Sequence, residues 1–357
     1  MAKFLLLVLS LMLVCISLLP AASAGPKRVA RTRQAQEEFR RLGDRQRQLS
    51  DRKRQLINVR RGSRPLRHTF DTKPIYDQWR AQGSGSSTTI EYGGGPVLDG
   101  KTLKIYLIYY GYWQDGYGQT EVENFIRSLS SADSSTKAQG EAGDQTVRDW
   151  WAITSSYYSN TSTVSPIVNL AKVVYDKGSR GTKFSDNTAW DVVSNKVGPG
   201  KAFPYDANGI YLILTSKDVT IPGFCKEWCG WHTMDYLKSK RVVYSLVGHH
   251  AQCPKSCDAQ VFSPNANPAI DAMISTIAHE IAEVATNPDV KSGWFDAEDE
   301  ENADKCSYYY GDTTLTTNIK GNSAYYNLVG FNGMKFLVQQ NWDWATDSCV
   351  SQAVSSL

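Results

Sequence analysis

The sequence predicts an α+β fold in which a mixed β-sheet is flanked by helices and supported by disulfide bonds. Runs of β-branched and aromatic residues at 101–111, 209–216 and 240–248 are typical of buried strands. Segments with the apolar period of amphipathic helices separate these runs, and the longest covers residues 268–286. Because the order of strands and helices is mixed and no internal repeat is evident, we expect one layered domain with a single core.

The N-terminal segment, residues 1–24, has the composition of a signal peptide. Lys3 precedes an apolar run that ends in the small residues "AASAG", so cleavage is expected after Ala24. An uncleaved membrane anchor is the weaker alternative, because the apolar run is short. No later stretch is apolar enough to span a bilayer. We therefore expect a secreted protein of the extracellular space or cell wall, with an N-glycan at the sequon of Asn160.

Residues 25–89 are predicted to form a basic arm and a linker, largely disordered or a frayed helix. Residues 25–67 hold 15 Lys and Arg against 4 Asp and Glu, although the net charge of the whole chain is +3. Leucine recurs every seven positions in this arm, but one leucine stripe cannot bury a coiled-coil seam. The arm could bind acidic wall polysaccharide or serve as a removable prosegment, and nucleic acid is the least favoured partner in a secreted protein.

The globular domain is expected over residues 90–357, after a Gly- and Ser-rich linker at 83–96. Its first two helices are predicted to begin at the N-caps Thr120 and Asp144. A third helix is expected at 187–197. Two further strands are expected at 165–176 and 334–344.

Disulfides are predicted by the cysteine count. Cys15 would leave with the signal peptide, and an even number in an oxidising compartment implies pairing. Short loops close at low entropic cost, which favours local pairs. The expected pairs are Cys225–Cys229, Cys253–Cys257 and Cys306–Cys349. The secretory context and the lack of C-x2-C spacing argue against zinc at the C-x3-C segments.

The stretch "STIAHEIAEVATNP", residues 275–288, lies in the longest predicted helix, which Pro288 should end. A helix turns by about 100° per residue, so its apolar residues fall on one stripe. This stripe consists of Ile270, Met273, Ile274, Ile277, Ile281 and Val284. His279 lies almost opposite that stripe, and Glu283 shares its face because positions i and i+4 are neighbours. Small residues surround this pair, namely Ser275, Ala278, Ala282 and Thr286. A surface of this kind is typical of a cleft floor.

His279 and Glu283 therefore form a candidate metal site. Zinc peptidases with a Glu ligand take a third ligand from a following segment, and the run "EENAD" supplies Glu300 or Glu301 for that position. Zinc is the favoured cofactor, and the oxygen ligands also admit Mn²⁺ or Ca²⁺. The alternatives are a simple hydrogen-bonded pair on the helix and a solvated acidic loop after it.

Three further roles complete the hypothesis of a hydrolase. Asp304 or Asp296 would orient a ligand, and Glu280 would act as the general base that takes a proton from water. The strand at 240–248 would be the sheet edge along which an extended peptide substrate pairs. The other histidines are not expected to be ligands: we interpret His232 as a satisfied core residue and His249 and His250 as loop residues.

Several long motifs resemble a known family. The motifs "YGGGPVLDGKTLKIYLIYYGYW", "GIYLILTSKDVTIPGFCKEWCGWHT", "AQCPKSCDAQ" and "ATNP" are similar to the EXORDIUM or phosphate-induced protein family, over Tyr92 to Cys349. The resemblance implies a secreted or wall-associated protein linked to growth and to phosphate or carbon status, without a known reaction.

One segment departs from the plant pattern. Plant members carry small and apolar residues before "ATNP", whereas this chain has "HEIAEV". The His–Glu version resembles bacterial relatives whose segment is like a zinc-peptidase helix followed by "GW" and an acidic ending with a cysteine. The leading hypothesis is a matrix protein acting in growth or nutrient response. The alternatives are a metal-dependent peptidase or other hydrolase, and a wall-carbohydrate-binding protein suggested by 10 Trp and 19 Tyr.

Overall fold

The computed structural model describes residues 68–71, 89–113, 118–130, 144–185, 187–253, 256–290 and 292–353. The predicted signal peptide and the basic arm over 25–67 lie outside the described residues. Among the described helices, none is long and apolar enough to cross a membrane.

The predicted α+β fold is confirmed, with four α-helices and a mixed sheet in the described part of the chain. The helices are α1 (Gln119–Ser128), α2 (Val147–Ser155), α3 (Thr188–Lys196) and α4 (Pro268–Thr286). The main sheet contains β1 (His68–Asp71), β3 (Leu103–Tyr110), β4 (Val168–Asp176), β5 (Gly209–Thr215), β6 (Trp228–Leu237) and β7 (Lys240–Val247). The short strands are β2 (Glu91–Tyr92), β8 (Trp294–Phe295), β9 (Thr314–Thr317), β10 (Ser323–Tyr326), β11 (Leu328–Val329), β12 (Lys335–Phe336), β13 (Asn341–Asp343) and β14 (Ser348–Val350).

The main sheet has the order β1-β6-β7-β5-β3-β4. Strands β7, β5, β3 and β4 are parallel to one another, β6 is antiparallel to β7, and β1 is antiparallel to β6. Strand β7 therefore lies between β5 and β6. The prediction that the strand at 240–248 is a free edge for a peptide is wrong, because both of its sides are paired within the sheet.

Helices cover both faces of the sheet, and strand alternation separates two cores, so the prediction of a single core is wrong. In β3, Ile105 and Leu107 pack in one core with α1, α2 and α4. The alternate residues Tyr106 and Ile108 pack in the other core with α3. This period of two, repeated in β5 and β7, produces a three-layer arrangement.

Some local predictions need correction. The expected N-caps are wrong: Gly118 precedes α1, and Thr146 caps α2 because its Oγ1 accepts from the Asp149 amide at 3.1 Å. The strand expected at 334–344 is divided into β12 and β13, and β14 follows it. Strand β6 was not predicted at all, since its cysteines and tryptophans obscure the alternation of buried side chains.

The disulfides differ from the local pairing that loop entropy suggested. Cys306–Cys349 is confirmed, but Cys229 is bonded to Cys257 with Cα atoms 5.7 Å apart. Cys225 and Cys253 are free thiols. The reason is that Cys229 lies in an extended strand, so its side chain meets a neighbouring segment instead of the residue four positions earlier.

Candidate metal centre

Helix α4 carries three ionisable side chains into the protein interior. It has the predicted bounds and begins with Pro268 in its first turn. His279, Glu280 and Glu283 all have 0% exposure. The face opposite the apolar stripe is thus covered by the rest of the protein. His279 Nε2 lies 2.9 Å from Glu283 Oε1, as the i,i+4 spacing predicts.

The loop after α4 returns to the helix because Asn287 holds it there. Its Oδ1 accepts hydrogen bonds from the amides of Ser292 at 3.0 Å and Gly293 at 2.7 Å. Its Nδ2 donates to Glu301 Oε1 at 2.6 Å. The Asn of the "ATNP" motif therefore ends the helix and fixes the acidic loop above it.

Asp304 is the loop residue that reaches the His279–Glu283 pair. Its Oδ1 lies 3.3 Å from His279 Nε2, and its amide donates to Glu283 Oε1 at 3.0 Å. Its side chain is 11% exposed. The sequence predicts that Asp304 orients a ligand; in the structure its carboxylate contacts His279 directly.

The other loop residues take different positions from those predicted. Glu301 is fully buried and lies beside His232. Glu300 is half-buried, and its amide donates to Asp296 Oδ1 at 2.9 Å. The Asp296 carboxylate accepts from Lys305 Nζ at 2.9 Å and so stabilises the loop.

Strand β6 supplies a histidine that the sequence analysis did not select. His232 Nδ1 lies 3.3 Å from Glu280 Oε2 and 3.5 Å from Glu283 Oε2. Its Nε2 lies 3.5 Å from Glu301 Oε2. A useful signal was Gly230, two positions earlier on the same face, where a Cβ would lie 2.7 Å from Glu280 Oε1. Such a close approach indicates that β6 packs against the acidic helix.

Two overlapping groups of side chains could each hold a metal ion. One consists of His279, Glu283 and Asp304, and the other of His232, Glu280 and Glu283; within each group the ligand atoms lie within 4.8 Å of one another. Ligands at about 2.1 Å from one ion are separated from each other by about 3.0–3.5 Å. The measured separations between histidine nitrogens and carboxylate oxygens, 2.9 to 3.5 Å, match that spacing.

Hydrogen bonding alone leaves part of this cluster unsatisfied. One ring nitrogen can donate only one strong hydrogen bond, yet His232 Nδ1 faces two carboxylates. Among the described residues, the buried oxygens Glu280 Oε1 and Glu283 Oε2 have no hydrogen-bond partner. Burying a carboxylate oxygen without a partner is costly, and a divalent cation is one group that would satisfy it.

The pKa values show how the carboxylates and histidines influence each other. Burial alone would lower the pKa of His232, but Glu301, Glu280 and Glu283 outweigh it and raise the pKa to about 10. Burial raises the pKa of Glu280 to about 7. Burial opposes the charge on Glu283 as well, yet the two histidines hold its pKa below the usual value. The carboxylates thus create a negative field that attracts protons or a cation.

Gln339 contacts the other side of His279. Its side-chain amide adjoins His279 Nδ1, and its Oε1 is buried with no hydrogen-bond partner among the described residues. The structure places Gln339 Nε2 at the ring; exchanging the amide oxygen and nitrogen would satisfy Oε1, let Gln339 accept the Nδ1 proton, and direct the lone pair of Nε2 toward Glu283 and Asp304.

The comparison with known families agrees with the sequence motifs. Residues 90–352 match the family model described as the phosphate-induced protein 1 conserved region. The chain belongs to this family. The resemblance to EXORDIUM proteins is therefore confirmed for the region that contains the sheet, α4 and the acidic loop.

Curated members of the phosphate-induced family are similar over most of their length. The chain is 31% identical over 299 residues to Protein EXORDIUM-like 5 of Arabidopsis thaliana, covering 75% of this chain and 79% of the relative. It is 28% identical over 295 residues to Protein EXORDIUM of the same plant, covering 73% and 88%. It is 27% identical over 292 residues to Protein PHOSPHATE-INDUCED 1 of Nicotiana tabacum, covering 73% of this chain and 87% of the relative. No solved structure matches the chain.

Proposed function

We propose that this family member is a secreted protein that binds a divalent metal ion in the buried cluster and acts in the extracellular matrix, in growth or nutrient response. Its location and role are supported by the predicted signal peptide and by relatives named EXORDIUM and PHOSPHATE-INDUCED 1. Asn160 is exposed, as a glycosylation acceptor must be.

The observation that carries the metal proposal is the convergence of His279, Glu283 and Asp304 from a helix and a separate loop. Local sequence alone does not require this convergence, because Asp304 is held in place by the Asn287–Glu301 hydrogen bond and by the Asp296–Lys305 pair. The nitrogen and oxygen donors fit Zn²⁺, and the excess of carboxylates also admits Mn²⁺ or Ca²⁺.

Hydrolysis, with a peptide as substrate, is the second candidate. A bound divalent cation would polarise a carbonyl group and make water more acidic. Glu280 is adjacent, but its carboxylate contacts His232 and is fully buried. Because closed sites are typical of structural metals, the burial of the α4 side chains favours tight binding over turnover.

Carbohydrate binding is less well supported than metal binding. Among the described residues, six tryptophans are buried: Trp150, Trp151, Trp228, Trp231, Trp294 and Trp342. Most of the indole surface therefore stabilises the core and does not offer stacking platforms for sugar rings.

Metal analysis tests the proposal. The full chain, expressed in a eukaryotic host and purified from the medium, should begin near Gly25 and contain stoichiometric metal. Glu283→Ala should lose the metal, because Glu283 belongs to both ligand groups. Glu298→Gln, an exposed carboxylate of the same loop, is the matched control and should retain it. Metal-free wild type, or equal metal in Glu283→Ala, would refute the proposal.

A further inference from the structure

We infer that the cluster binds two divalent cations, which share Glu283 as a bridging carboxylate. The first position lies among His279, Glu283 and Asp304, and the second among Glu283, His232 and Glu280. This inference rests on the proposed metal binding and extends it from one ion to a pair.

The two oxygens of Glu283 face different histidines. Oε1 lies 2.9 Å from His279 Nε2, and Oε2 lies 3.5 Å from His232 Nδ1. A carboxylate that chelates one ion directs both oxygens to one position. Here each oxygen has its own histidine and its own additional carboxylate, Asp304 on one side and Glu280 on the other. This is the arrangement of a bridging ligand in two-metal sites.

Charge balance also favours two ions over one. Metal ligands are deprotonated, so the histidines are neutral and the carboxylates carry one negative charge each. The cluster contains four carboxylates, of Glu280, Glu283, Glu301 and Asp304. One divalent cation at the first position, together with a proton on His232, would leave one negative charge in the cluster without compensation, whereas two cations neutralise the four carboxylates. Lys305 does not replace the second ion, since it bonds to Asp296.

Glu301 orients the histidine of the second position. Its Oε1 accepts from Asn287, and its Oε2 lies 3.5 Å from His232 Nε2. The negative charge of Glu301 favours a proton on Nε2, which leaves the lone pair of Nδ1 directed toward Glu280 and Glu283. At the first position the side-chain amide of Gln339 adjoins His279 Nδ1. Each histidine thus has a polar group beside the ring nitrogen that does not face the carboxylates of its own position, as ligating histidines usually have.

In this arrangement Glu280 is a ligand of the second ion. It does not act as the general base that the sequence analysis expected. Glu280 Oε1, which has no hydrogen-bond partner among the described residues, is the additional donor that a second cation would engage. Gly230 permits this position, because any Cβ there would contact Glu280 Oε1.

Counting bound ions separates this inference from the proposal on which it rests. Full-length protein, stripped with a chelator, is equilibrated with Mn²⁺, and free ion is removed by dialysis. We expect two ions per chain and an exchange-coupled electron paramagnetic resonance spectrum. A single ion per chain with an uncoupled spectrum would overturn the inference and leave the proposed metal binding intact. No bound ion would refute both.

Variants assign the ions to their positions. His232→Gln and Glu280→Gln should each lose the ion at the second position, and His279→Gln should lose the ion at the first. Each variant should retain one ion and show no exchange coupling. Glu298→Gln should keep two coupled ions. Two coupled ions in folded His232→Gln would also overturn the inference. The wild-type spectrum decides the question if a variant does not fold.

Discussion

The side-chain amide of Asn287 donates a hydrogen bond to Glu301 Oε1 at 2.6 Å, which joins the end of α4 to the acidic loop. Both residues are fully buried. This bond holds the loop above the helix, and it also places Glu301 Oε2 3.5 Å from His232 Nε2.

Asn287→Ala is therefore expected to destabilise the protein by about 3 kcal/mol, because it leaves buried amides and a carboxylate oxygen without partners. It should also weaken metal binding. Denaturant unfolding measures the first effect, and metal titration the second. Asn195→Ala, on the exposed face of α3, is the control and should change stability by less than about 0.5 kcal/mol. Equal stability of the two variants would contradict the role of Asn287.

Chelation is expected to lower the melting temperature at neutral pH. A ligand at a free concentration of about 100 times Kd stabilises the folded state by about 2.7 kcal/mol. Protons compete with the cation for the same histidines and carboxylates, so the difference between metal-loaded and chelated protein should decrease as the pH falls. Calorimetry at several pH values measures this difference. Identical transitions with and without chelator at neutral pH would argue against a bound ion.

His249 is expected to make the free energy of unfolding depend on pH in the acidic range. Burial, followed by His250 and Lys217, lowers its pKa to about 4, with Asp218 acting in the opposite direction. Its neutral Nδ1 accepts from the Ala251 amide at 3.2 Å. Between about pH 6.5 and pH 4 the unfolded chain binds a proton that the folded protein does not, so stability falls as the pH falls.

The expected loss from His249 over this interval is at most about 3 kcal/mol. It should be smaller in His249→Gln, which does not titrate. Wild type and variant, both treated with chelator, are compared by denaturant unfolding at pH 7 and pH 4.5. The contributions of other titrating groups are the same in both proteins and cancel in the difference. Parallel pH profiles of the two proteins would show that His249 does not contribute.

Parts of the fold with regular periodicity were predictable from sequence. The alternation in β3 and β5 and the helical period of α4 specify those elements, because each depends on neighbouring residues only. The pair His279 and Glu283 was predictable for the same reason. Contacts between distant segments were not predictable: His232 joins the cluster only because β6 packs on α4, and Asp304 contacts His279 because of the fold of the loop.

The disulfides illustrate the same limit. Loop entropy favours a Cys225–Cys229 pair, but tertiary structure places Cys229 beside Cys257. The thiols of Cys225 and Cys253 are neighbours in the folded protein, and the Cys253 thiol lowers the pKa of Cys225.

Mild oxidation is therefore expected to join Cys225 and Cys253, since two adjacent thiols need little movement to form a bond. Peptide mapping without reduction should then show a Cys225–Cys253 linkage beside Cys229–Cys257, and thiol titration should fall from two groups to none. Cys225→Ser should leave one thiol that resists oxidation to an intramolecular bond. A Cys225–Cys229 linkage in the oxidised protein would contradict the observed arrangement.

Gly230→Ala tests the contact between β6 and α4 directly. A Cβ at this position would lie 2.7 Å from both Glu280 Oε1 and Thr276 Cγ2, so the strand or the helix must shift. Overpacking of this kind costs about 1–3 kcal/mol, and it should displace His232 from Glu280 and weaken metal binding. Calorimetry and metal titration measure the two effects. Adding Glu280→Ala removes one of the clashing side chains and should recover part of the stability without restoring the metal affinity. Metal affinity unchanged in Gly230→Ala would show that the strand tolerates the added methyl group and that the distance between β6 and α4 does not control the site.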